Sequence, residues 1–355
     1  MKKRNEIAIW SAMPPPYGGI SVHIMRLVHR LMDTGIPYRM IDQNGKFDPE
    51  TNVVPGRRSI FGFLHFALTN RSVCVHLHTN NLLAVAVGTL IFKARRVKVI
   101  YTLHTSFAVD RYISANPFAK KLIRTGLRRA WHFVPVNNHV AEWLKRDLAI
   151  PAERITVSPA YIPPSELEVK APLPDGIVNS IKNASCVIGS QGWFGPLQQG
   201  VHIYSFDLLH MLALHLKSNW PGTWLYTMVS GDVDSAFRDE CKARVEADQL
   251  ESVWHFIEEP ISGAAIIAKS QLFLRPTTTD GDSVCVRESL GLNVPVVASD
   301  AVVRPDSCHL FCNRDIDDLI RVVEAFLHGE LRDVRDDSSD SFLALQGIYR
   351  RALGS

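Results

Sequence analysis

Two acids eight positions apart, Asp280 and Glu288, stand in the stretch "RPTTTDGDSVCVRESLGLNVPVVASD" (275–300), with a glycine after the first and an apolar run after the second. "QLFLRPT" (271–277) has the composition of a strand, "TTDGD" that of a turn, and Ser283 to Gly291 reads as a helix. A helix N-terminus offers free N–H groups and a partial positive charge, which suits a phosphate. On this reading Asp280, in the turn, reaches a group being transferred, and Glu288, about a turn and a half into the helix, accepts hydrogen bonds from a ribose diol. Arg275 and Arg287 bracket the turn, and an arginine fork matches phosphate oxygens.

Such residues need strands that end at a common edge. A first strand, "EIAIWS", leads through the turn "PPPYGG" into an amphipathic stretch, "ISVHIMRLVHRLMDTG", with apolar residues at Ile20, Ile24, Leu27, Val28 and Leu31 and a stop at Gly35. The strand-then-helix pattern recurs in "SVCVHLH" with "NLLAVAVGTLIFKA", in "VKVIYTLH" with "PFAKKLIRTGLRRA", and in "HFVPVN" with "HVAEWLKRDL". Repeated βα units predict a parallel sheet covered by helices. Residues 162–182 carry four prolines and no sustained periodicity, which places a domain boundary near 165. A second βα series then runs from "SCVIGSQG" to "PVVASD". The expected fold class is α/β, with two Rossmann-like domains facing across a cleft lined by loops at the strand C-termini. They span 1–165 and 166–340, and a final amphipathic helix, 341–355, packs back towards the first.

The chain of 355 residues, 46% of them hydrophobic and 21% charged, has the length and composition of two folded domains. Its net charge of +3 hides an asymmetry: residues 1–165 hold 23 Lys+Arg against 9 Asp+Glu, and residues 166–355 hold 16 against 27. The positive excess gathers in "KARRVK" (93–98) and "KKLIRTGLRRAWHF" (120–133), a surface suited to anionic lipid or phosphate. The start, "MKKRNEIAIWSAMPPPYGG", lacks the cleavage site of a secretory signal. The longest apolar run, Leu82 to Phe92, is about half the roughly 20 residues a spanning helix needs. Six scattered cysteines form no paired framework, and Cys308 and Cys312 lack the second cluster of a zinc site. No metal site is expected. "GPLQQG" (195–200) has phosphate-loop glycine spacing without the Lys-Ser/Thr that should follow.

The acidic turn resembles the pair, usually two glutamates separated by seven residues, of the retaining family 4 glycosyltransferases with the GT-B fold. "PPPYGGISVHIMRLVHRLMDTG", "VIYTLHTS", "HFVPVNNHVAEWLKRDL" and "RITVSPAYIPP" resemble further family segments, in order along nearly the whole chain. The resemblance implies that Gly18 and Gly19 admit the donor diphosphate where a Cβ would clash, and that His104 binds the donor sugar near the reaction centre. With Asp280 it forms the catalytic set. Arg275, Gly281, Asp282, Ser283, Val284, Arg287, Glu288 and Gln199 are the remaining expected donor-binding residues. His76 and His78 are read as cleft lining or sheet packing.

The sequence also departs from the family. Asp280 stands where Glu is usual, Asp282 and Ser283 replace an aromatic residue and a glycine, and Gln191 and Gln199 occupy the places of the cations that neutralise the departing diphosphate. Arg275 and Arg287 are the expected replacements. The implied protein transfers a sugar from a UDP- or GDP-sugar, with retention and without a bound cofactor or metal, to a saccharide or lipid-linked saccharide in surface polysaccharide or lipopolysaccharide assembly. It is expected in the cytoplasm, peripheral on the inner face of the membrane and in contact with anionic lipid. The alternatives are a catalytically silent sugar-nucleotide-binding or partner subunit and a nucleotide-sugar epimerase. A nucleic-acid partner is not expected, because it would leave the acidic pair idle.

Overall fold

The computed structural model describes all residues except 1–2, 105–106, 196, 199, 233, 332–339 and 355. The chain divides into two compact units, Met1–Ile162 with Ser339–Ser355, and Pro163–Ser338. The division falls at the head of the proline-rich stretch.

In unit 1 the strands β1 (Arg4–Ser11), β2 (Tyr38–Asp42), β3 (Val53–Pro55), β4 (Ser72–His78), β5 (Lys98–Leu103) and β6 (His132–Pro135) make one sheet in the order β3-β2-β1-β4-β5-β6. Every pairing is parallel. Helices α1 (Gly19–Met32), α2 (Ile60–Thr69), α3 (Leu82–Ala94), α4 (Phe107–Ser114), α5 (Pro117–Leu127) and α6 (Asn138–Arg146) cover it. The side chains of Asn81, Asn116 and Asn137 cap α3, α5 and α6 by accepting from the backbone N–H of Ala84, Ala119 and Val140. Gly126 lets α5 approach α3 closely, since a Cβ there would lie 2.4 Å from the Ala86 carbonyl oxygen.

Apolar layers fill both sheet faces, one built on Trp10, Phe63, Phe92 and Phe133 and the other on Ile7, Ile9, Leu27 and Val28. The C-terminal helix, Ser341–Leu353, completes the second layer with Phe342, Leu345, Ile348 and Tyr349. Burial on both faces explains the near-continuous apolar runs of β1 and β4.

Unit 2 opens with the short α7 (Glu166–Val169) and α8 (Asp175–Asn183), then alternates β7 (Cys186–Phe194), a hairpin of β8 (Leu197–Gln198) and β9 (Val201–His202), α9 (Phe206–Asn219), β10 (Thr223–Asp232), α10 (Ser235–Ala247), β11 (Trp254–Ile257), α11 (Gly263–Ile267), β12 (Leu272–Arg275), α12 (Val284–Gly291), β13 (Val296–Ser299), β14 (Cys308–Phe311) and α13 (Ile316–Leu327). The C-terminal helix of unit 1 is α14. The second sheet is also parallel, in the order β11-β10-β7-β12-β13-β14.

Both orders read 3-2-1-4-5-6 within their own unit, the doubly wound Rossmann arrangement. The switch points lie between β1 and β4 and between β7 and β12, where the chain leaves neighbouring strands in opposite directions and opens a crevice at their C-terminal ends. Among the described residues no helix is long and apolar enough to cross a membrane.

Candidate functional site

The C-terminal end of β12 carries the acidic turn to the switch point of the second sheet. Arg275, the last residue of β12, points its Nε at Asp280 Oδ2 (2.8 Å) and its Nη2 at Asp280 Oδ1 (3.2 Å). Its Nη1 donates to the side-chain oxygen of Gln191 on β7 (2.8 Å) and to that residue's carbonyl (3.2 Å). Arg304, from the turn after β13, donates from Nη1 to Asp280 Oδ2 (2.9 Å), from Nη2 to Thr277 Oγ1 (2.8 Å) and from Nε to the Ser299 carbonyl (3.2 Å). Both guanidinium groups are buried.

Burial alone would raise the Asp280 carboxyl, but Arg275 and Arg304 override it and hold the group at about 2. Burial lowers Arg304, and the neighbouring Arg275 lowers it further against the pull of Asp280. Two cations thus share one anion, and the cluster keeps a formal charge of +1. Arg304 carries no motif signal, and only its place after β13 brings it to the turn.

The rest of the turn is also assembled. Arg287 Nε bonds Asp282 Oδ1 at 2.6 Å. The structure therefore places Arg275 and Arg287, read from sequence as phosphate ligands, each in an ion pair with an acid of the same turn. Ser283 is the N-cap of α12 rather than its first residue, and its side chain makes no capping bond, while Val284 opens the helix and Glu288 lies buried on it. Gly281 is half-buried in the turn. Gln199 lies outside the described residues. Gln191 thus occupies a cation's place by sequence and serves instead to hold Arg275.

Unit 1 gathers a second set of groups around its own switch point. Gly18 caps α1, and its N–H donates to Ser21 Oγ (3.0 Å), which donates in turn to the Pro16 carbonyl (2.7 Å). Its φ of −147° is one any residue adopts, so backbone conformation does not require glycine there. Gly19 begins α1.

His104 follows β5 and His78 ends β4, and His78 Nδ1 lies 2.8 Å from His104 Nε2. His23, on α1, packs with ring centroids 5.2 Å from His104 and 5.7 Å from His78. Beneath them His76 bonds Tyr349 of α14 through Nδ1 (2.6 Å) and Thr102 through Nε2 (2.7 Å). All four rings are buried. Burial lowers His23 to about 4, helped by Arg26 and opposed by a bond to the Ala160 backbone, and it drives His76, His78 and His104 well below the usual imidazole value. They are neutral imidazoles at pH 7. One nitrogen from each of His23, His78 and His104 lies within 4.8 Å of the others, a donor set close enough for a metal, although buried Arg26 adds positive charge beside it.

Residues 17–166 match the family described as Glycosyltransferase Family 4. No curated protein matches the chain in sequence. Among solved structures the chain is similar to a glycosyltransferase from Rickettsia africae (13% identity, 99% of each chain, TM-score 0.70). It is also similar to Anabaena HepE in complex with UDP-glucose (13% identity, 98% of this chain and 95% of that one, TM-score 0.66). A third likeness is to the lipopolysaccharide outer core galactosyltransferase WaaB (16% identity, 98% of each chain, TM-score 0.59). Two Rossmann-type parallel sheets match these structures, so the chain has their GT-B fold, and its first unit carries the match to Glycosyltransferase Family 4.

Proposed function

We propose that the protein is a retaining glycosyltransferase that moves a sugar from a nucleoside diphosphate donor to a saccharide or lipid-linked saccharide acceptor. The observation that carries this reading is the Arg275–Asp280–Arg304 cluster beside the N-terminus of α12, at the second sheet's switch point. Its residual positive charge and the helix end suit a diphosphate, with the arginines supplying the charge that a metal supplies elsewhere. Buried Glu288, one turn into α12, takes the ribose hydroxyls. Gly18 and Gly19 admit the phosphates, and His104 and Asp280 orient the sugar.

In the reaction, the bond from the anomeric carbon to the β-phosphate oxygen breaks and the acceptor oxygen bonds to that carbon on the same face. The acceptor's proton passes to the departing phosphate oxygen. HepE, which binds UDP-glucose, favours a UDP-sugar as the first donor to test, and WaaB is in keeping with a role in lipopolysaccharide or surface polysaccharide assembly.

The test is calorimetry and thermal shift with UDP, GDP, ADP, CDP and their common sugars. One nucleotide is expected to bind, and Glu288→Ala is expected to weaken it at least about tenfold through loss of a charged hydrogen-bonding partner. Failure of every nucleotide to bind overturns the reading. A second reading, donor binding without turnover, draws on the engagement of Asp280 and Arg287 within the turn. It predicts the same binding with no sugar transfer or donor hydrolysis.

The acceptor reading places the protein at the cytoplasmic face of a membrane. On α5, Phe118 is 78% exposed, and Lys121, Arg124 and the neighbouring Arg129 are exposed with it. Each cation near an anionic surface contributes about 1 kcal/mol. Replacing these three cations with serine is therefore expected to lower partitioning onto phosphatidylserine vesicles by about 100-fold, without changing the weak binding to phosphatidylcholine. Unchanged co-sedimentation with the anionic vesicles would rule out this surface.

A further inference from the structure

The buried histidines of unit 1 form pairs whose proton positions constrain one another. His78 Nδ1 and His104 Nε2 are 2.8 Å apart, so one carries the shared proton and the other a lone pair. Two arrangements satisfy this: both rings hold their proton on Nε2, or both hold it on Nδ1. A neutral imidazole prefers Nε2, and the first arrangement gives both rings that form.

The layer beneath agrees. The phenol of Tyr349 is the better donor at His76 Nδ1, which leaves the His76 proton on Nε2, facing Thr102 Oγ1. The His76 and His78 rings pack in contact, with centroids 4.0 Å apart and planes tilted by 49°. What remains is His104 Nδ1, buried and without a hydrogen-bond partner, and His78 Nε2 in the same condition. Such atoms in a low-dielectric interior are costly unless something meets them.

We propose that His78 is a positioning residue that accepts the Nε2 proton of His104, so that His104 presents a bare Nδ1 lone pair to a hydroxyl of the transferred sugar. This rests on the reading of His104 as a donor-sugar ligand. It also narrows the substrate: a lone pair accepts from a neutral sugar's hydroxyl and repels a carboxylate, so the site selects a neutral hexose over a uronic acid.

The pair is read directly by long-range ¹H–¹⁵N spectra of the ¹⁵N-labelled full chain. His104 should show a lone-pair nitrogen at Nδ1 and a protonated one at Nε2. His78→Asn keeps an acceptor within reach and should preserve that signature. His78→Leu removes it, mixes the tautomers and lowers affinity for the UDP-hexose by about tenfold, while affinity for UDP alone is unchanged.

A protonated Nδ1 in the native chain, or an unaltered His104 signature in His78→Leu, overturns the proposal. A zinc-dependent rise in melting temperature, reversed by a chelator, also overturns it, because the metal would occupy the lone pairs. If no nucleotide sugar binds the native chain, the reading of His104 as a sugar ligand fails, and the spectra still decide whether His78 sets its tautomer.

Discussion

Replacing Asp280 with Asn is expected to destabilise unit 2 by about 3–5 kcal/mol, the cost of leaving a buried charge without its partner, and to make its stability depend on added anion. In the native cluster one carboxylate serves two buried guanidinium groups through contacts of 2.8, 2.9 and 3.2 Å. Asn keeps the shape and loses the charge. Arg304, already lowered by burial and by Arg275, then faces a second cation with no anion between them.

An anion that enters the cluster repairs the imbalance, so inorganic phosphate and UDP should raise the variant's melting temperature more than the native protein's. Sugar transfer should still fall, since the carboxylate proposed to orient the donor sugar is gone. Urea unfolding with and without phosphate reads both effects. An Asp280→Asn protein as stable as the native one would show that the arginines are already compensated elsewhere, and the cluster would lose its claim as the diphosphate site.

That prediction depends on Arg304, which no local pattern in the sequence announces. It lies 24 residues beyond Asp280 in a turn, and its role follows from the pairing of β12 with β13 and not from any spacing. The strands and helices themselves were legible because their signals are local. "SVCVHLH" is β4 to the residue, and the asparagines ahead of α3, α5 and α6 mark their starts. β2 and β3, of five and three residues, are too short to show a period, and α2 follows them without a strong one.

The acidic turn was legible as a place, since strand, turn and helix lie within one stretch of chain. Its partners were not. Arg287 reaches back to Asp282, Gln191 arrives from another strand, and His76 meets Tyr349 across 273 positions. Local sequence gives side chains their types and rough addresses, while the sheet order decides which of them touch.

Acidification should separate the two units. In unit 1, His23 falls from 6.5 to about 4 through burial, and His76, His78 and His104 lie well below 6.5 for the same reason. An unfolded chain takes up protons at these residues near pH 6.5, whereas the folded chain does not. The stability they permit is therefore complete above pH 6.5 and is lost as pH falls towards the folded values. Each group contributes about 1.4 kcal/mol per pH unit in that window, so His23 alone accounts for about 3 kcal/mol by pH 4.

The Asp280 cluster responds lower down. Its carboxyl falls from 3.8 to about 2, so its contribution is present above pH 3.8 and is lost only as pH drops towards 2. The lowered histidines of unit 2, His202, His255 and His309, are only partly buried, and solvent offsets part of their effect. Unit 1 is thus expected to unfold first, between pH 6 and 4, while unit 2 keeps its amide protection. Hydrogen exchange across that range distinguishes the order. His23→Gln should flatten the pH dependence of unit 1 by about one proton's slope, whereas loss of unit 2 first would mean that the buried histidines are not the acid-sensitive element.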